Sequence, residues 1–292
     1  METISLADGR VLEYVELGDP GGPPVVYLHG TPGTAGCAAL FHGAARRCRV
    51  RLVAVSRPGY GASTTTAPGL SSVARDVDEL VSTLGIDGFA VWGTSGGGPF
   101  ALAVGALLPT RVSRIAIAAG SAPHQQVAPE VLDAEDVRAL ELLAAGDADG
   151  AVAEVMPGVQ RAFDGVRRLS GSEFAEAFAT MTPPSEQYFD SRPVEGATMF
   201  ADVHRALERY DGFIRDNLSW LGPWDIDLGA VVAPTQLHYG AADAMVPALH
   251  GEWLEARLPA AELTIHPDAG HGDITFGLAD AILTALHQPA RS

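Results

Sequence analysis

Phe89-Ala90-Val91-Trp92-Gly93-Thr94-Ser95-Gly96-Gly97 decides the reading of this chain. Four apolar residues in a row are followed by Gly-x-Ser-x-Gly and then by a helical pattern from Gly97 to Leu107, which reads as strand, sharp turn and helix. In so sharp a turn the chain returns close to itself, side chains at 93 and 97 would collide, and both positions are Gly. The serine between them is expected in a strained backbone conformation that lifts its hydroxyl off the carboxyl edge of a sheet. The helix that follows aims its free N–H groups and positive dipole end at the same spot. A serine there can attack a carbonyl. A glycine-rich turn without chemistry and a phosphate loop share the outline, but all 19 basic residues are Arg, and a Walker-type loop requires Lys.

Around this turn, continuous apolar runs occur at Val25 to Leu28, Leu52 to Val55 and Ile115 to Ala119, with helical patterns at Ala38 to Arg47 and Ser72 to Leu84 between them. Runs apolar at every position suit strands buried on both faces, which predicts a doubly wound, mostly parallel α/β sheet. Ile4 to Leu6 and Val11 to Leu17, joined by Asp8-Gly9, predict an antiparallel hairpin at the start. The pattern stops near Pro123 and resumes with strands at Thr235 to Tyr239 and Glu262 to His266 and helices at Leu249 to Arg257 and Leu278 to His287. The expected organisation is a core of residues 1–123 and 226–292 interrupted by a helical cap at 124–225. Within the cap, Val131, Val137, Leu140 and Leu143/Ala144 mark one helical segment, and Val203, Leu207, Tyr210 and Ile214 another, with Pro183-Pro184 as a divider. The cap holds 19 acidic and 8 basic residues, and 10 of the 20 aromatics, among them Phe163, Phe174, Phe178, Phe200 and Trp220.

The chain has 292 residues, 47% of them apolar, enough for one large core and an inserted subdomain. A net charge of −17 repels polyanions and excludes nucleic acid as a partner. No apolar stretch approaches the ~20 residues of a membrane span, and Met1 to Ser5 has no signal-like character, so a cytoplasmic protein is expected. Cys37 and Cys48 form no C-x-x-C, which argues against a disulfide framework or Cys-rich zinc site and suits small buried side chains. No metal or cofactor motif is present.

Acyl transfer at Ser95 needs two N–H donors for the developing oxyanion. Gly96, just after the serine, is one candidate. His29-Gly30-Thr31-Pro32-Gly33, which ends the run Val25 to Leu28, supplies the other, and since Pro32 has no N–H the donor is Thr31. His29 abuts a buried strand and is expected to shape the loop rather than act as base. The acid and base should each follow a late strand: Asp243 in Gly240-Ala241-Ala242-Asp243, and His271 in Gly270-His271-Gly272, flanked by Gly on both sides. Asp268 and Asp273 are expected to shape the loop around His271, and Asp225 and Asp227 lie before the strand, at its wrong end. The expected mechanism has His271 take the Ser95 proton while Asp243 fixes its tautomer.

Taken with Arg57-Pro58-Gly59-Tyr60-Gly61-Ala62-Ser63, these segments resemble the α/β-hydrolase superfamily in its lidded bacterial group. The resemblance covers essentially the whole core and implies an eight-stranded, mostly parallel sheet, a helical cap between strands six and seven, and a Ser95-Asp243-His271 triad. Two positions depart from it. Ser56 stands where the family usually has Asp before R-P-G-x-G-x-S, and Thr31 and Gly96 differ from the H-G-G-P-G loop and post-serine aromatic of relatives that cleave N-terminal proline. Ser95 argues against the Asp-nucleophile dehalogenases and epoxide hydrolases. The expectation is a serine hydrolase of esters or lactones acting on a neutral, largely apolar small molecule. The alternatives are a lyase, cyclase, C–C hydrolase or peptidase using the same triad, or a ligand receptor on the same fold.

Overall fold

The computed structural model describes residues 1–169, 171–180 and 188–287; Pro183-Pro184 and the Phe178 side chain lie outside the described set. The strands are β1 (Glu2–Ser5), β2 (Val11–Gly18), β3 (Pro24–Leu28), β4 (Arg51–Ser56), β5 (Phe89–Thr94), β6 (Val112–Ala118), β7 (Thr235–Gly240) and β8 (Ala261–His266). They form one eight-stranded sheet in the order β1-β2-β4-β3-β5-β6-β7-β8. β1 and β2 pair antiparallel, as does β2 with β4, and the remaining pairs are parallel.

The period of two in the central strands divides the core. Val26, Leu28, Val53, Val55 and Val91 face one side, where they meet the helices α2 (Leu70–Thr83) and α3 (Gly98–Leu107). Val25, Tyr27, Leu52, Ala54 and Trp92 face the other, against α1 (His42–Arg47) and α12 (Ala279–His287). From Gly98 to Ala106 every residue of α3 is buried, which explains why its sequence is apolar all round. Between β6 and β7 the chain runs through α4 (His124–Val127), α5 (Ala134–Ala144), α6 (Ala148–Phe163), α7 (Gly171–Thr180), α8 (Pro193–Ala206) and α9 (Asp211–Leu221). This insertion has its own apolar centre, with Phe174, Val203, Leu207, Ile214 and Leu218 buried together. α10 (Leu249–Glu255) and α11 (His271–Thr275) complete the element order. No described helix is long and apolar enough to cross a membrane.

Three local expectations are corrected. Ala38 to Arg47 is not one helix: a 3-10 turn spans Ala35–Phe41 before α1 begins, started by Thr34, whose Oγ1 accepts the Gly36 N–H at 3.0 Å. Val203 to Ile214 is two helices, because the helix breaks between Leu207 and Tyr210, although all four apolar positions remain buried. Val131 and Val137, 60% and 44% exposed, are not on a buried stripe, since α5 starts only after Asp133, which caps it by accepting from the N–H groups of Glu135 and Asp136. Cys37 is buried as expected, while Cys48 is only half-buried.

Candidate active site

Ser95 follows β5 directly and takes φ 49°, a left-handed conformation that an L-residue holds only under constraint. The constraint is close approach. A Cβ on Gly93 would lie 2.7 Å from the Gly97 carbonyl oxygen, and one on Gly97 would lie 2.2 Å from that of Leu28. The loop after β3 meets this turn because β3 is the strand beside β5, and the chain leaves it toward β4 on the opposite side. A Cβ on Gly30 would stand 3.4 Å from the Ser95 Cβ, and one on Gly96 would stand 2.8 Å from the Thr31 Cβ. Ser95, Gly96 and Thr31 are thus brought together.

Asp243 and His271, 28 positions apart, meet at the same sheet edge, Asp243 in the loop after β7 and His271 at the first position of α11, after β8. His271 Nδ1 bonds Asp243 Oδ2 at 2.8 Å, and both residues are buried. The other carboxylate oxygen, Oδ1, accepts the N–H groups of Met245 at 2.9 Å and Val246 at 2.7 Å, so Asp243 is fixed by three donors. Three of the other candidate carboxylates have other partners. Asp273 accepts from Gly270 N at 3.0 Å, Asp225 caps α2 through Leu70 N at 2.9 Å, and Asp227 accepts from Gly229 N at 2.8 Å. His238 and His266 bond each other at 3.2 Å, and burial with the neighbouring ring pushes His238 down to about 4. His29 is fully buried. Its Nδ1 donates to Gly30 O at 2.7 Å and its Nε2 accepts from Arg57 N at 3.3 Å, while burial and the Arg57 charge hold it well below the usual imidazole range.

Ser95, Thr31 and His271 line a cavity of about 200 Å³. Its apolar wall comes from the insertion (Phe189, Met199, Phe200, Val203) and from Met245 and Phe276. The Phe276 ring packs at 54° to that of Phe189, centroids 5.0 Å apart, and so joins core to insertion beside the cavity. Among the described lining residues Asp190 is the only acid, and there is no Arg.

A family model described as alpha/beta hydrolase fold matches residues 23–278. The chain belongs to the α/β-hydrolase family. It is 26% identical, over 90% of its length, to the dihydrolipoyllysine-residue acetyltransferase component of the acetoin cleaving system of Pseudomonas putida, and spans 62% of that relative. In fold, the chain is similar to a hydrolase from Pseudomonas aeruginosa, with TM-score 0.70, 22% identity and 98% of both chains covered. It is also similar to a thermophilic esterase from Thermogutta terrifontis, with TM-score 0.68, 20% identity, and coverage of 98% of this chain and 99% of the other.

The departure at Ser56 has a visible consequence in this chain. Ser56 Oγ accepts from Ala35 N at 2.8 Å and donates to Glu13 Oε1 at 2.7 Å. Glu13, on β2, also receives Arg205 of α8 at 2.5 Å. Burial pushes the Glu13 carboxyl up, but the bonds from Arg205 and Ser56 leave it lowered on balance. Beside it, Asp202 of α8 accepts from Thr34 N at 2.8 Å and from the Thr34 hydroxyl, and burial raises it to about 6.

Sequence reasoning gave Arg57 no role. Its guanidinium is wholly buried, and so is its partner, Asp216 of α9, with Arg57 Nη2 2.5 Å from Asp216 Oδ2. Arg57 Nη1 donates to His29 O, and Nη2 donates to Thr31 Oγ1 at 3.0 Å. The Thr31 hydroxyl in turn donates to Asp216 Oδ2 at 2.8 Å. The one available signal was an Arg directly before Pro58-Gly59, after a strand apolar at nearly every position.

Proposed function

We propose that this enzyme is a serine hydrolase that cleaves an ester or lactone of a neutral, largely apolar small molecule through an acyl-enzyme at Ser95. The observation that carries this reading is the Asp243–His271 bond at the wall of the same apolar cavity onto which strained Ser95 opens. In this reading Ser95 Oγ attacks the carbonyl carbon and His271 takes its proton, with Asp243 holding the tautomer and stabilising the imidazolium. The N–H groups of Thr31 and Gly96 receive the oxyanion. Collapse breaks the bond to the alcohol, which leaves with the proton from His271, and water activated by His271 then releases the acid. Residues 124–225 act as a cap over a core of 1–123 and 226–292.

The cavity supports the substrate class. A carboxylate in it would meet Asp190 and no described Arg, and it would lose hydration without a counter-ion. Two arginines nearby, buried Arg57 and half-buried Arg205, are already engaged by Asp216 and Glu13. The test is labelling by a fluorophosphonate, followed by turnover of p-nitrophenyl acyl esters and simple lactones. Labelling should map to Ser95 and vanish in Ser95→Ala, which should also lose turnover by several orders of magnitude. Labelling elsewhere, or a Ser95→Ala variant with more than a few per cent of the activity, would end this reading.

A further inference from the structure

We infer that Asp216, carried on the helical insertion, is a positioning residue that sets the Thr31 loop through the Thr31 hydroxyl, so that the oxyanion site is complete only when α9 is seated on the core. This rests on the reading of Thr31 as an oxyanion donor.

The Thr31 hydroxyl has a partner on each side: it donates to Asp216 Oδ2 at 2.8 Å and accepts from Arg57 Nη2 at 3.0 Å. A β-branched side chain bonded at both ends is confined to one rotamer. That hydroxyl oxygen is also the part of Thr31 nearest Gly96, 2.5 Å from where a Gly96 Cβ would stand, with the Thr31 Cβ next at 2.8 Å. Fixing the rotamer therefore fixes how the Thr31 backbone lies against the turn that holds Ser95. Pro32 adds a restriction, since the residue before proline is held to extended conformations.

If the buried pair served stability alone, the two charges would need only each other. Instead both converge on residues 29–31. Arg57 donates to His29 O, to Gly30 O at 3.3 Å and to Thr31 Oγ1, and its Nε reaches Asp216 at 3.1 Å. The carboxylate comes from the insertion, and α9 is docked at its first turn. A Cβ on Gly212 would lie 2.6 Å from the Tyr60 ring, and one on Gly59 would lie 2.5 Å from Gly212 N. The helix cannot shift without moving Asp216 off the Thr31 hydroxyl.

Thr31→Val tests the link because it keeps the β-branched shape, the backbone N–H and the Arg57–Asp216 pair, and removes only the hydroxyl. Asp216→Asn strands the buried Arg57 and can fail to fold, so Thr31→Val and Thr31→Ser carry the experiment. The readouts are kcat and KM for p-nitrophenyl butyrate, the rate of fluorophosphonate labelling, and Tm. Thr31→Val should lower kcat and the labelling rate about 10- to 100-fold with KM little changed, as expected for misaiming one donor, and Thr31→Ser should restore most of the loss. A fall in Tm with kcat and labelling unchanged would reduce the link to a structural one and overturn the inference, as would a Thr31→Ser variant as slow as Thr31→Val. If wild-type Ser95 does not label, the nucleophile reading fails and takes this inference with it. If Ser95 labels normally and Thr31→Val is unaffected, only the inference falls.

Discussion

Asp202→Asn should change how stability depends on pH, by an amount that the surroundings of Asp202 set. The carboxylate is buried, bonded to Thr34 twice, and faces Glu13 and Arg205. Burial lifts its pKa from 3.8 to about 6. Because the folded value lies above the unfolded one, the folded state holds the proton more tightly. The group's stabilising contribution is therefore full below pH ~4 and is lost as pH rises through ~6. At 1.36 kcal/mol for each pH step between the two values, the loss comes to about 3 kcal/mol, a large share of a typical stability of ~5–15 kcal/mol. Asn cannot ionise and escapes that loss. Urea denaturation of both proteins from pH 4 to pH 8 should therefore give a stability difference that moves by about 3 kcal/mol in favour of Asn between pH 4 and 6 and is level above. Glu13, whose pKa is lowered, acts in the opposite direction, losing stability as pH falls below the usual carboxylate range; it is present in both proteins, so only its coupling to Asp202 enters the difference. A difference that is flat with pH, or that slopes the other way, would refute the reasoning. Since Met199, Phe200 and Val203 of the same helix line the cavity, the KM of the wild type for an apolar ester should follow the same transition.

Asp243→Asn should cost less in kcat than His271→Ala, because it spoils the tautomer without deleting the base; a silent Asp243→Asn beside a damaging Asp268→Asn would show that the wrong carboxylate was chosen. Trp92→Ala should cost about 3–5 kcal/mol in denaturant unfolding, since the ring is wholly buried with Phe41 at 4.5 Å and Tyr27 at 5.0 Å; a loss under ~1 kcal/mol would mean that the core refills around it. With −11 on the insertion, a neutral ester should exceed its carboxylate analogue in kcat/KM, and the gap should narrow as salt shortens the Debye length from ~30 Å at 0.01 M to ~3 Å at 1 M. A gap that salt leaves unchanged would assign the preference to the cavity wall.

The parts legible in the sequence were those whose causes are local. Strands buried on both faces wrote themselves as unbroken apolar runs, and the close approach of Gly93 to Gly97 left two glycines around Ser95. The glycines beside His271 and the short loop before Asp243 marked both chain reversals. What escaped was set by contacts distant in sequence. Nothing near Arg57 announces Asp216, and nothing near Thr34 announces Asp202, 168 positions away. The same holds for the Val203 to Ile214 pattern, where burial continues through a helix break that periodicity alone does not register.

The Arg57–Asp216 pair also bears on the order in which this chain can fold as it is made. Synthesis delivers Arg57 159 residues before its counter-ion. Until α9 emerges, closing the core over that guanidinium would bury an uncompensated charge at a cost of several kcal/mol, so the loops beyond β3 and β4 must stay open to water. The strands can pair early, but the edge that carries Ser95 acquires its final form only after Asp216 arrives. Final packing of the N-terminal half is thereby deferred until most of the chain exists.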